Sequence, residues 1–382
     1  MSRRTALPEA PATIMPLVTF ALFTYNQDQY VEDAVKAALA QTYSNLEIII
    51  SDDHSTDSTF ETIQSTVSQL SGAHTPIIRQ NLTNLGFAAH INAVMEIASG
   101  ELIVVAAGDD ISFPNRVSTL VNHWISTGKE SGSIFSRFRT IDAEGKITRH
   151  GDLGSINRFS LASRDMQNTL GITVGSSGCT QAWTKDLFEI FGHLDPRILH
   201  EDITIPLRAL LNGSVTYLPD ELVLYRITTG TLSRASIADY RARFAKMARY
   251  WQGRVANYEQ YARDSAEITA CREIKDSDLE WLNLLVKNQA DLARLNYRFF
   301  SGRFRDQIRS ILDSSDNVGL IRRLKLLGLA LFPCIYGMKY PLKFSQTMIS
   351  MKSLNTHSQK KCPSISKNLT SKADHLFPYT SK

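Results

Sequence analysis

Between Leu17 and Ala107 the sequence alternates short β-branched runs with helical segments, and this pattern constrains the fold more than any other feature. The runs are Leu17 to Thr24, Leu46 to Ser51, Pro76 to Gln80 and Glu101 to Ala107. Between them lie YVEDAVKAALAQ, a helix opening at Ser58, and AAHINAVMEIAS. Such an order demands right-handed crossovers and a mostly parallel sheet covered on both faces. Ligands of such sheets bind beyond the carboxyl ends of the strands, so the loops after Thr24, Ser51, Gln80 and Ala107 are expected on one edge.

Past Pro114 the pattern changes. A helix is expected to about Thr127, then an extended IFSRFRTID stretch, a Gly/Ser-rich GITVGSSGCT segment, a helix near Lys185 to Phe191 and another after Glu201. The strand-like VTYLPDELVLYRI closes the unit, and from Ser236 to Leu312 the sequence is polar and helical, with Trp251, Tyr258, Trp281, Leu285 and Tyr297 as core-facing residues. The expected division is a disordered lead-in over 1–15, an α/β domain over 16–235 and a helical region over 236–315. A basic apolar segment over 316–345 and a disordered basic tail over 346–382 complete it.

Composition excludes several classes. The balance of 42 Lys+Arg against 38 Asp+Glu, a net +4, argues against nucleic acid as a partner. Pro8, Pro11 and Pro16 break any signal-peptide core, and the scattered Cys179, Cys271, Cys334 and Cys362 make no zinc or redox spacing, which fits a cytoplasmic chain. No uncharged apolar run reaches the ~20 residues of a spanning helix. Leu326 to Met338, flanked by Arg322, Arg323, Lys325, Lys339 and Lys343, reads equally as an interfacial segment or a buried helix pair.

Three acidic clusters carry chemistry. In SDDHSTDS, Asp52 and Asp53 at a strand end suit the base or ribose of a nucleotide, or simple turn chemistry, while Asp57 and Ser58 are poised to cap the next helix. In VVAAGDDISFP, Asp109 and Asp110 suit a hard divalent cation shared with substrate phosphates, or a solvated turn. In LHEDITIPLRALLNG, Glu201 and Asp202 begin a helical segment, either as macrodipole decoration or as a general base for an attacking hydroxyl.

In this order the clusters resemble the family 2 glycosyltransferases with the GT-A fold. The likeness runs from residue 17 to about 235 through PLVTFALFTYNQDQYVEDAVKAALAQTYSNLEIIISDDHSTDST, NLTNLGFAAHINAVMEIASGELIVVAAGDD, SSGCTQAWTKDLFEIFGHLDPRILHEDITIPLRALLNG and LYRITTGTLS. The resemblance implies an α/β GT-A nucleotide-binding fold with a mostly parallel central sheet, followed by the C-terminal helical region. It implies that Thr24, Tyr25, Asn26, Asp52 and Asp53 hold the nucleotide, that Asp109 contacts the donor through a metal with help from Asp110, and that Asp202 is the base with Glu201 beside it. Two departures concern the metal, Mn or Mg: Ala107 stands where the family's first Asp is expected, and Ile227, Thr228 and Thr229 follow Tyr225-Arg226 where some relatives carry a His.

The expected activity is inverting transfer of a single sugar from a UDP- or dTDP-linked donor to a glycan or lipid-linked acceptor, in cell-surface polysaccharide biosynthesis. The absence of a Gln-x-x-Arg-Trp sequence disfavours processive synthesis. Peripheral contact with the cytosolic membrane face through 320–344 is a further expectation. A nucleotidyltransferase would need a Gly-rich phosphate loop that TYNQDQY lacks, and neither GxGxxG nor a P-loop occurs. A non-catalytic scaffold of the same fold is suggested only by Ala107.

Overall fold

Strand β1 (Val18–Thr24) shows how the opening run becomes a central strand. Val18, Phe20 and Leu22 point to one face, Ala21 and Phe23 to the other, and all are buried. The computed structural model describes residues 15–70, 74–150, 158–160, 177–227, 240–271, 274, 276–302, 304–312 and 326. The lead-in over 1–15, apart from Met15, lies outside the described residues, as do the segment over 316–345, apart from Leu326, and the tail over 346–382.

β1 pairs in parallel with β2 (Leu46–Asp52) and β4 (Leu102–Ala107), and β2 pairs in parallel with β3 (Ile77–Gln80). The remaining strands are β5 (Ile111–Ser112), β6 (Ser131–Ile141), β7 (Ile147–His150), β8 (Arg158–Ser160), β9 (Gln181–Thr184) and β10 (Ser214–Arg226). They extend the sheet in the order β3-β2-β1-β4-β9-β6-β10-β5, with β7 on β6 and β8 on β10. β9 runs antiparallel to both β4 and β6, while β6 and β10 are parallel. β1, β2, β3, β4, β6 and β10 therefore share one direction, the mostly parallel sheet that the alternation demands, while β9 and the short β5, β7 and β8 run against their neighbours.

Two cores follow from the two faces. Helices α1 (Val31–Leu39), α2 (Thr59–Gln69) and α4 (Arg116–Ser126) bring Val35, Ile63 and Leu120 against Phe20 and Leu22. Helices α3 (Phe87–Met95), α5 (Asp186–Phe191) and α6 (Glu201–Asn212) bring Ile91, Leu187 and Leu210 against Ala21 and Phe23. That second core continues into α7 (Tyr240–Cys271), α8 (Asp276–Ser301) and α9 (Phe304–Leu312) through Trp251, Tyr258, Leu285 and Phe299. Trp251, Tyr258 and Leu285 are buried, and Trp281 and Tyr297 pack against them, as the pattern predicts. Trp183, open between sugar stacking and the core, is fully buried and stacks on Phe188.

One polar connection anchors α7 to α6. Arg208 and Asp264 form a buried ion pair at 2.8 Å, and the same guanidinium donates to the Phe191 and Gly192 carbonyls. A charge buried this deeply is tolerated only when its donors are used, and here they are.

Candidate active site at the carboxyl edge of the sheet

Register aligns the strand ends that carry the site. Thr24 lies opposite Asp52, Asp52 opposite Gln80, and Phe23 opposite Ala107. Parallel strands that end together discharge their loops on one edge, and the first two acidic clusters meet there.

Asp52 is fully buried, and its carboxylate accepts from the Thr24 hydroxyl at 3.0 Å, the Ser55 amide at 2.8 Å and hydroxyl at 2.5 Å, and Gln80 Nε2 at 2.9 Å. Asp53, also buried, accepts from Asn81 Nδ2 at 2.7 Å and from the Leu85 and Gly86 amides at 2.9 and 3.0 Å. The two carboxylates thus fix the loops after β2 and β3. Asn26, held at φ 51, accepts from the Thr56 amide at 2.8 Å and donates its own amide to Ser55 Oγ at 2.9 Å. Tyr25 beside it is 45% exposed and faces out from this braced rim. Asp57 accepts from the Thr59 amide at 3.0 Å at the start of α2, whereas Ser58 makes no side-chain cap.

The second cluster sits in the turn after β4. Gly108 is required there: a Cβ would lie 2.5 Å from Gln27 Oε1 and 2.8 Å from Thr24 Cγ2, so only glycine lets the turn close on the nucleotide-side loop. Asp110 is buried; its Oδ1 accepts the Arg226 amide at 2.8 Å, while its Oδ2 has no hydrogen-bond partner among the described residues. The Cys179 thiol acts on this carboxylate. Burial above all, with the adjacent Asp109, raises the Asp110 carboxyl well above its ordinary value. Burial raises Asp109 as well.

Two arginines lock this turn. Arg226, at the end of β10, donates to the Asp109 carbonyl at 3.0 Å, to the Ala143 carbonyl at 2.9 Å and to Asp33 at 3.1 Å, and lies 4.8 Å from the Tyr30 ring. Arg116 opens α4, fully buried, donating to Ser112 at 2.9 Å and to the Val105 and Cys179 carbonyls, each at 2.8 Å. A basic residue in a helix's first turn opposes the macrodipole, and that mismatch was the available sequence signal for Arg116.

The third cluster begins α6, and the turn Ser177 to Thr180 joins it to the second. Glu201 is buried with Oε1 against Gly178, where a Cβ would overlap it. The Gly178 backbone hydrogen-bonds the Asp202 carboxylate. Burial, then the neighbouring Asp202, raises Glu201 well above its ordinary range. Asp202 is partly exposed; burial pushes it up to about 6, opposed by Arg254 of α7. A carboxylate poised near neutrality is suited to take a proton from a hydroxyl. Tyr225 stands among the clusters, its hydroxyl raised by burial and by Cys179, Asp110, Asp109 and Asp202.

The residues expected from the sequence therefore lie on one edge. Thr24, Asn26, Asp52 and Asp53 brace the rim, Tyr25 protrudes, Asp109 and Asp110 form the central turn, and Glu201 and Asp202 face it across Ser177 to Thr180. Among the described residues no group of three or more His, Cys, Asp or Glu side chains is placed to hold a metal ion. The unpartnered Asp110 Oδ2, with Asp109 beside it, fits a cation that takes its other ligands from phosphate and water.

Residues 19–189 match the family model described as Glycosyl transferase family 2. An uncharacterized glycosyltransferase of Haemophilus influenzae is 32% identical over 152 residues, 36% of this chain and 46% of the relative. The Escherichia coli protein WcaA, named for colanic acid biosynthesis, is 36% identical over 108 residues, 28% of this chain and 38% of its own length. The chain spans less than half the length of either. S. aureus TarS shares the fold with a TM-score of 0.52 at 14% identity, over 84% of this chain and 53% of TarS. The mannosyltransferase PcManGT from Pyrobaculum calidifontis, solved with GDP-Man and Mn²⁺, shares it with a TM-score of 0.51 at 16% identity, over 86% of this chain and 82% of that one. The fold is GT-A, with a helical region following it. The family match covers the stretch that carries the braced rim and the Asp109-Asp110 turn.

Proposed function

We propose that the chain transfers a single sugar from a nucleotide diphosphate sugar, UDP- or dTDP-linked, to a glycan or lipid-linked acceptor by inverting displacement, in cell-surface polysaccharide assembly. The observation that carries this reading is the turn Ser177 to Thr180. Its Gly178 lies against Glu201 Oε1 and Cys179, beside it, neighbours Asp110, so donor-side and acceptor-side acids meet at one turn. In-line displacement needs that juxtaposition, since much of its rate comes from holding donor and acceptor in register. WcaA's name supports the polysaccharide setting, and PcManGT's bound donor and metal support a nucleotide sugar with a divalent cation.

In this reading Tyr25 and the rim of Asn26, Asp52 and Asp53 receive the nucleotide. Asp109 and Asp110 would hold Mn²⁺ or Mg²⁺, which when bound offsets charge on the departing diphosphate. Asp202 takes the acceptor hydroxyl's proton, with Glu201, raised well above its ordinary range by burial, beside it. The segment over 320–344 lies outside the described residues, apart from Leu326, and no described helix is long and apolar enough to cross a membrane. A cytoplasmic site of action with peripheral membrane contact belongs to the same proposal.

A panel of nucleotide sugars assayed for hydrolysis and transfer with and without Mn²⁺ tests it. Asp202→Asn is expected to lose transfer by about 10³-fold with donor affinity held within about twofold. Asp109→Ala is expected to weaken donor binding in Mn²⁺ as well as turnover. Full transfer by the first variant, or wild-type donor affinity in the second, overturns the corresponding assignment.

A further inference from the structure

The strands β1 and β4 leave the sheet side by side: Phe23 lies opposite Ala107, and the Gly108 amide donates to the Phe23 carbonyl at 3.0 Å. The rim at Tyr25 and the turn at Asp109-Asp110 are therefore neighbours, and the side chain of Gln27 lies across the seam between them. Its Oε1 accepts the Tyr25 amide at 3.2 Å and sits 2.5 Å from where a Cβ on Gly108 would be. The backbone of Gln27 is fixed on both sides. Its amide donates to the buried Thr59 Oγ1 at 2.7 Å, and its carbonyl accepts the Tyr30 and Val31 amides, each at 2.9 Å, at the opening of α1. The two ends of a carboxamide are told apart by their partners, and the Tyr25 N–H can meet only the oxygen. The NH₂ is thereby turned away from that bond. Gln27 is half-buried, and this NH₂ has no hydrogen-bond partner among the described residues. Arg226, the cation that locks the same turn, already donates to the Asp109 and Ala143 carbonyls and to Asp33.

We propose that Gln27 is a binding residue for the diphosphate of the donor, its carboxamide nitrogen donating to a phosphate oxygen between the rim and the turn. This rests on the reading of the rim as the nucleotide site and of Asp109 and Asp110 as the cation site. A nucleoside diphosphate with its base against Tyr25 and its phosphates on a cation at that turn passes over Gly108, where the Gln27 carboxamide already lies. The string TYNQDQY has neither the glycines nor the basic residue of a phosphate loop. A neutral donor suits this place better than a basic one. A lysine or arginine at 27 would be drawn to the neighbouring carboxylates and compete with the cation for them, and an acid would repel the diphosphate. A carboxamide does neither, and its N–H bond to a phosphate oxygen is strengthened by the phosphate's charge. Gly108 serves the same end, because a side chain there would displace the carboxamide oxygen and the free NH₂ with it.

Gln27→Glu separates this role from that of a brace for Tyr25. Glutamate keeps an oxygen for the Tyr25 amide and replaces only the free donor, by an acceptor that carries charge. The full chain is titrated calorimetrically with uridine and UDP, and with guanosine and GDP as a second pair. The titrations are run at about pH 8, where the carboxylate is ionised, with and without Mn²⁺. The variant is expected to bind the diphosphate of the preferred pair at least about tenfold more weakly, with the nucleoside held within about twofold. Gln27→Met removes both ends of the carboxamide and guards against the first variant failing to fold; it is expected to lower diphosphate affinity by more than nucleoside affinity. Unchanged diphosphate affinity in folded Gln27→Glu, or an equal loss for nucleoside and diphosphate in either variant, overturns the role and leaves the nucleotide site standing. A wild-type chain that binds none of the four compounds, or holds the diphosphates no more tightly than the nucleosides, overturns the reading of the site itself, and this role with it.

Discussion

At the scale of single residues the site is built from groups whose ordinary chemistry has been displaced by their surroundings. Asp52 and Asp53 look in sequence like free acids awaiting a nucleotide, but their carboxylates are engaged by four side chains and three backbone amides of the adjoining strands and loops. What they supply is a fixed edge, and Tyr25 is the group left exposed upon it. Gly178 shows how little room the opposite side leaves. A methyl there overlaps Glu201 Oε1, so Gly178→Ala must push Glu201 away and take the Asp202 hydrogen bond with it. Expected is a loss of about 1–3 kcal/mol in urea unfolding with turnover reduced at least as far as destabilisation requires, while the affinity for nucleotide, set on the rim, is kept. Calorimetric titration with UDP against GDP checks the second half. None of this was legible from the SSGCT string, because a glycine's function here lies in a contact across 23 positions of sequence.

Elements explain what the residues alone do not. The alternation of apolar runs made four strands and their helices readable, since burial on both faces leaves a continuous hydrophobic run as its trace. The reversed β9 was not readable: QAWT is too short for its period to declare a direction, and only pairing with β4 and β6 fixes it. The same holds for the arginines. Arg116, Arg208 and Arg226 look like surface charges in sequence, yet all are buried, each spending its donors on carbonyls that element ends leave open. Arg208 is the sharpest case because its partner lies on another helix. Arg208→Met strands Asp264 and is expected to cost about 3–5 kcal/mol, lowering a single unfolding transition, with Asp264→Asn adding much less on top of it. Two separate transitions in calorimetry would show that α7 is not part of the cooperative unit.

At the scale of the molecule, the donor edge and the acceptor edge arise from different parts of the chain. The family-model match ends at residue 189, while Glu201 and Asp202 lie just beyond it. The half that carries β1 to β4 was therefore the more readable one, its strand-end motifs being dense and regularly spaced. The acceptor half was readable only at Glu201-Asp202, because what surrounds it comes from helices whose sequences repeat no motif. The reversal of β9 gives this division a structural consequence. β1, β2 and β3 deliver to this edge the loops that follow them, and altering such a loop changes the entry to the next helix. β9 delivers the residues that precede it, so its turn is anchored from behind by the strand and by Arg116 on the Cys179 carbonyl. The position of that turn beside both acid pairs is thus fixed by the strand that follows it rather than by one that leads into it.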